Sequence, residues 1–481
     1  LIINGNGTLN VNAGYRNGIK STDDCIIVSG TLNITSTEDG IIGKDLCGVV
    51  AGDININAGS DGIKSTYDTD TTKGNVIIEG GNITIKASND GIQAENILVI
   101  NDGAINIKTN NGAADTTQTH IDNMDMGRGG FGFNNNKTTT TTDDTSESRK
   151  GIKAGNMLII NDGDITIDSD DDSVHCNSVI YIYGGTINAA TGDDGVHADD
   201  LLTVNGGTIN ITQCYEGIEA DDIVINDGDI SVVSSDDGIN SSDGSITING
   251  GNLLINASGD GLDANGSIII NGGYIVVLGP TSDGDTAIDY DDSCTINGGT
   301  VMAFGSSGML EIPKGASNGA CIVTAFTSVS GGSKYTLSDS NGNEILSYTP
   351  SKAYAAAIVY SDKITTGNTY DITAGSTALS IEVTSDVTSN VSSGLGKAGG
   401  MNMPGNGGSG MPNNGSSDNG MNGNSNGSMP DMSGNGAPDM NGNSSGDMPS
   451  MGGNSSNNGG NMPNMNNGSS NGSAPQMNNR M

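Results

Sequence analysis

Five acidic residues recur at one position of a repeating pattern: Asp172, Asp194, Glu216, Asp237 and Asp260, each directly before a Gly or a residue in its place. One place earlier stand Asp171, Asp193 and Asp236. Two places after the Gly come His175, His197, Glu219, Asn240, Asp263 and Asp289, and four or five places after it come Asp199, Asp200, Asp221, Asp222, Asp243, Asp291 and Asp292. Carboxylates stacked at strand spacing, about 5 Å, cost several kcal/mol at reduced dielectric while all stay ionised. A hard divalent cation removes that cost. Calcium takes six to eight oxygens from carboxylates, amides and carbonyls, all of which this pattern offers, whereas magnesium demands a stricter octahedron. The expected calcium ligands are Asp171, Asp172, Asp193, Asp194, Asp199, Glu216, Glu219, Asp221, Asp236, Asp237, Asp260 and Asp263. The competing reading is a solvated acidic face that only opposes aggregation. The nine-residue Gly-Gly-x-Gly-x-Asp calcium repeat is absent, so any calcium helix here is of another kind.

Composition supports a missing cation. The 481 residues carry 56 acids against 18 bases, a formal charge of −38. No Lys or Arg occurs between Ala154 and Pro313, while 26 acids lie from Asp162 to Asp292. Such a surface repels nucleic-acid phosphates and anionic membranes. No apolar run approaches the roughly 20 residues that span a bilayer as a helix, so membrane insertion is not expected.

The acids need a scaffold that stacks equal positions, and the repeat supplies one. The Gly of each Asp-Gly-Ile-like tripeptide falls at 18, 40, 62, 91, 151, 195, 217, 238 and 261, with Ser173 and Ala287 in the same slot of two divergent copies. The usual step is about 22 residues. Each copy holds three short alternating segments between Gly/Asp/Asn turns, which means strands. One copy cannot bury its apolar face alone, but stacked copies bury a continuous column. The predicted fold is an all-β, right-handed parallel β-helix solenoid over residues 1–308, of about eleven coils. Side chains alternate along a strand, so the second and fourth positions after the slot point outward while Ile and Ala point in.

Two steps are long. A loop around Tyr67–Gly74 explains one, and an insertion at 110–148, poor in core-forming residues, explains the other and reads as a mobile surface loop. Its Gly127–Phe133 stretch sets two Phe beside Arg128. Residues 309–391 read as a small β cap over the open sheet edge. Residues 392–481, dominated by Gly, Asn, Ser, Met and Pro, read as a disordered tail, with Met pairs too scattered for a copper array. Asn101, Asn161, Asn205, Asn226, Asn249, Asn271 and Asn297 recur before turns and are expected to form an internal hydrogen-bonded ladder. Cys25 and Cys47, one repeat apart, are read as a buried thiol pair in preference to a disulfide. The chain opens in mid-repeat, as a processed or truncated chain would, with any signal peptide outside it.

Asp193-Asp194-Gly195-Val196-His197-Ala198-Asp199, Glu216–Ala220, Asp236–Ser241, Lys150–Ala154 and the Leu346–Ala353 segment carry a family resemblance. Over about residues 1–390 the chain resembles a clostridial carbohydrate-binding β-helix family, itself similar to polysaccharide lyase family 9 in fold and calcium sites. The resemblance implies a secreted or cell-surface protein that binds polygalacturonate (pectin) and cellulose without demonstrated cleavage. It also implies strands ahead of the first coil, which this chain lacks. Calcium reconciles an acidic protein with an acidic polymer by bridging the two. Cellulose binding usually needs aromatic platforms, and Tyr15, Tyr67, Tyr181, Tyr183, Tyr215 and Tyr274 do not recur at one position. Two alternatives stay open. A calcium-dependent pectate lyase needs a base, for which Lys153 is the basic residue best placed. A surface adhesin would use calcium only to stiffen the rod.

Overall fold

Ile, Val and Leu alternate with polar residues in runs of three to six, and Gly, Asn and Asp interrupt each run before a helix could close. The result is three strands per repeat, as in Ile152–Ala154, Met157–Ile160 and Asp164–Ser169. A computed structural model describes residues 1–114 and 148–391. Each strand pairs in parallel with its copies in the coils before and after, in register, as Ile152 does with Ile92 and Val174. The three strands define three faces, called first, second and third in chain order. Inward residues merge into one core running through every coil, from Ile19 to Ala303. This parallel β-solenoid has no helix among its described residues, and it repeats about every 22 residues. It has about thirteen turns and not eleven. Counting slots misses the partial coils that begin at Ile2–Ile3 and end at Gly315–Ala316, which lack a Gly slot but still pair on the second face.

The slot glycine has a steric cause. A Cβ on Gly151 would stand 2.4 Å from Ile167 Cγ2, and one on Gly195 would stand 2.5 Å from Ile211 Cδ1. The opposing residue lies sixteen positions on, in the third strand of the same coil. In the two copies whose slot carries a side chain, Ser173 and Ala287, that position holds Ala189 and Ala303 in place of a branched residue. The core keeps its volume by exchanging atoms across one contact.

At the corner between second and third faces the chain needs positive φ, so Gly207 (φ 91°) and its copies end the Asn-Gly-Gly turns. The Asn before them does form a ladder: Asn226 donates to Asn205, Asn249 to Asn226, Asn271 to Asn249 and Asn297 to Asn271, at 2.8–3.0 Å. The expected ladder from coil to coil is therefore present, and its amides lie on the outside of the rod. Tyr183 replaces Asn in the one coil between Asn161 and Asn205. Cys25 and Cys47 are register partners, both buried and both free thiols.

Past the last coil, Thr300–Gly305 pairs antiparallel with Tyr354–Ser361, which pairs antiparallel with Ala320–Val329. A four-stranded antiparallel sheet follows, built from Tyr335–Asp339, Glu344–Tyr348, Thr369–Ala374 and Thr377–Glu382. Its Tyr335 and Leu337 pack with Tyr354 against Val276, Leu278, Met302 and Phe304. The C-terminal strands therefore continue the third-face sheet and also cover its outer side over the last coils. The Gly127–Phe133 stretch, residues 115–147 of the expected mobile insertion, and the tail from 392 with its Met pairs lie outside the described residues.

Candidate functional site

The position before the slot forms a column along the rod: Asn17, Asp39, Asp61, Asp90, Lys150, Asp172, Asp194, Glu216, Asp237, Asp260 and Thr286. Its side chains hold up the next coil. Asp61 accepts the backbone N–H of Asp90 at 3.0 Å, Asp90 that of Lys150 at 2.8 Å, Asp172 that of Asp194 at 3.2 Å, Asp194 that of Glu216 at 3.2 Å and Asp237 that of Asp260 at 2.6 Å. Asp260 accepts the N–H of Thr286. One oxygen of each such carboxylate thus fills a backbone requirement. This structural task begins well before the five acids that the repeat pattern singled out.

The residue three further on, outward on the first face, decides what the other oxygen meets. Asp61 meets Lys64 at 2.7 Å, Asp172 meets His175 at 2.8 Å and Asp194 meets His197 at 3.2 Å. Beyond them the same two positions hold Glu216 and Glu219, Asp237 and Asn240, then Asp260 and Asp263. The partner changes from Lys to His to another acid along one column.

Four groups of ligand-bearing atoms gather within 4.8 Å among the described residues: Asp171/Asp172/Asp193, Asp172/His175/His197, Asp194/His197/Glu219 and Asp237/Asp260/Asp263. Eight of the twelve expected ligands fall in these groups. Asp199, Glu216, Asp221 and Asp236 do not. Asp199 is half exposed, 3.6 Å from His197 Nε2. Glu216 accepts from Asn240 at 2.9 Å, and Asp221 accepts from the Ser242 hydroxyl at 3.0 Å.

The first three groups already contain cations of the chain. Lys150 Nζ lies 2.8 Å from Asp171 and 2.6 Å from Asp172, and Arg149 lies 2.7 Å from the buried Asp170. Burial opposes charge on both Lys150 and Asp172, but their attraction wins, holding the lysine above and the carboxyl well below its ordinary range. His197 is likewise disfavoured by burial, yet Asp194, Asp172 and Glu219 push it up to about 10. The acids were therefore not all uncompensated. Lys150 lies just outside the Lys-free stretch and reaches one coil into it.

The fourth group itself contains no Lys, Arg or His. Burial, then Asp236 and Asp263, push Asp237 up to about 8. Burial together with Asp237, Asp263 and Asp289 pushes Asp260 up to about 9, against the pull of the Thr286 N–H. Asp193 rises to about 8 and Glu216 to about 9, both through burial and neighbouring acids. Such carboxyls keep a proton near neutral pH unless a cation replaces it. Three carboxylates make a hard-oxygen donor set of the kind calcium takes.

A pH dependence follows. Acids with raised folded values stabilise the fold fully below the unfolded value near 4, and that contribution is lost as pH rises through about 8 to 9. His197 has the same sign, its contribution fading through about 10. Asp172 has the opposite sign, losing its contribution only in strong acid. With chelator present, the melting midpoint should fall by more than about 5 °C between about pH 5 and pH 9. A flat midpoint over that range would contradict the buried acid column.

Lys153 lies on the first face between Gln93 and His175, its Nζ 3.2 Å from the Ser148 hydroxyl and outside all four groups. Sequence reasoning missed the cationic roles of Arg149 and Lys150. The signal was present, since Lys150 occupies the acid column itself.

A family model described as a carbohydrate-binding domain-containing protein matches residues 1–195 and again 193–426. The chain belongs to this family. The family's description names carbohydrate binding, and both matched stretches include parts of the acid column. Neither a curated protein nor a solved structure matches the chain.

Proposed function

We propose that the protein is a secreted or cell-surface binder of plant cell-wall polysaccharide that holds acidic pectin, polygalacturonate, through calcium on its first face. The observation that carries this reading is the Asp237/Asp260/Asp263 group, three carboxylates gathered in a carbohydrate-binding family with no Lys, Arg or His among them. These residues would hold the ion, which supplies positive charge for a uronate carboxylate. The protein's own contribution is placement. Parallel register spaces the acids by one coil, and the backbone N–H groups fix their orientation. The kinship with polysaccharide lyase family 9 belongs to the same reading, as does cellulose as a second ligand.

The test is calorimetric titration of polygalacturonate with millimolar calcium and again with excess chelator. Saturable heat only with calcium is expected. Heat in neither buffer would remove pectin and leave a calcium-stiffened rod. The lyase alternative is read in the same samples from unsaturated uronate absorbance, which should stay flat. Should absorbance rise, Lys153→Ala tests the base: loss of product formation would support the lyase, and unchanged formation would clear Lys153.

A further inference from the structure

Where the C-terminal strands meet the last coils of the rod they leave a cavity of about 310 Å³, lined by Thr281, Asp283, Ser307, Phe326, Ser328 and Tyr354 among others. Local departures from the repeat create it. The turn between Tyr274–Leu278 and Ile288–Tyr290 runs over residues 279–287, whereas its copy one coil earlier runs only over 257–261. The enlarged turn presses on the chain beyond Thr300–Gly305, so that a Cβ on Gly308 would stand 2.4 Å from the Asp283 Cβ. Across the cavity the strand Ala320–Val329 is bulged. Ala325 pairs with Ala356 and Val329 with Tyr354, so residues 326–328 face Ala355 alone. Bulges re-aim side chains and are over-represented beside functional sites. Lys352 donates to the Leu278 carbonyl at 3.3 Å and to that of Ala257, which ties the segment just before Tyr354 to the rod. The Phe326 and Tyr354 rings meet edge to face with centroids 6.2 Å apart. Tyr354 is buried, and its hydroxyl has no hydrogen-bond partner among the described residues.

We infer that this cavity is a binding site for a single protonated amino sugar, a pyranose ring that carries an ammonium group, held without calcium and apart from the acid column. Charge selects the class. Among the lining residues Asp283 alone is charged, and no Lys, Arg or His is there to meet a uronate. The field of a chain of charge −38 draws cations. An aromatic face such as that of Phe326 adds to the attraction for an ammonium group. Thr281, Ser307 and Ser328 offer hydroxyls that both donate to and accept from those of a sugar. The Tyr354 hydroxyl lacks a partner in the free protein, a cost that a ligand hydroxyl lifts. The volume stands at the small end for ligand pockets, so the cavity suits one ring and not a run of them. The repeat pattern hid this site because each of its parts lies where the repeat breaks.

The test uses the full chain with excess chelator and saturation-transfer NMR on three probes of one ring each: glucosamine, N-acetylglucosamine and glucose. With its amine protonated, glucosamine should bind saturably, and the two uncharged sugars about five-fold more weakly. Added salt should weaken the glucosamine signal, as should deprotonating the amine. Asp283→Asn should weaken glucosamine about five-fold while leaving the melting midpoint and calcium-dependent polygalacturonate binding unchanged. Tyr354→Phe should weaken it about three-fold and keep the midpoint or raise it, because the buried hydroxyl it removes has no partner in the free protein. Equal affinity for glucose and glucosamine would overturn the charge assignment. Glucosamine binding unaltered in both variants would place the ammonium group elsewhere on the acidic rod, and no saturable binding at all would remove the site. Polygalacturonate takes no part in the sugar titrations, so this inference and the pectin reading fail separately.

Discussion

Changing Asp237, Asp260 and Asp263 together to Asn should abolish calcium-dependent polygalacturonate binding while leaving the chelated fold at least as stable at neutral pH. The two effects have one cause. At the raised values of about 8 and 9, Asp237 and Asp260 are opposed by burial and by neighbouring acids, so removing charge relieves repulsion. Asn keeps the side-chain oxygen that accepts the N–H of Asp260 and of Thr286, so the backbone ladder survives. Calcium affinity depends on the charge count of its ligands, and losing three charges should weaken it by more than about 100-fold. Calorimetry with calcium alone and melting with chelator read the two effects apart. If binding vanished together with the chelated melting midpoint, the trio would be a structural brace. If the calcium heat survived, the ion would lie elsewhere on the column.

Much of the fold was legible because the solenoid repeats its physics. Alternation specified strands, the 22-residue step specified stacking, and Gly in the slot marked a close approach that Ser173/Ala189 and Ala287/Ala303 resolve by trading volume. What stayed hidden does not repeat. The terminal half-coils lack the slot, and the C-terminal strands lie partly alongside the rod, where Phe304 meets Tyr335. In the site, the acids were visible as a column, but charge tallied along the chain put Lys150 outside it. A lysine side chain spans the distance between coils, so the relevant neighbourhood runs up the rod. The backbone's use of the same carboxylates was invisible for a related reason, since an Asp reads alike whether it awaits a cation or accepts an N–H one coil on.

Lys150 tests that division of labour from the other side. Lys150→Met should destabilise the protein by about 3 kcal/mol, because it takes from the buried Asp172 and its neighbour Asp171 the lysine they share and leaves Asp172 only its histidines. In a chain of this size the melting midpoint should fall by about 5 °C, measured with chelator near neutral pH. Lys150→Arg should recover part of the loss by keeping the charge. The calcium dependence should also invert. In the natural protein the Asp171/Asp172/Asp193 group is served by Lys150, whereas the Met substitution leaves these three acids with His175 and His197 beside Asp172 and so brings the group nearer to Asp237/Asp260/Asp263, which contains no Lys, Arg or His. Calcium should therefore raise the midpoint of Lys150→Met by more than it raises that of the natural protein. If calcium stabilises both equally, the two ends of the column do not share one logic, and the lysine is a structural ion pair that happens to lie in line with a metal site. If the variant gains, the column is one device along its length, neutralised by a side chain where the sequence provides one and by an ion where it does not.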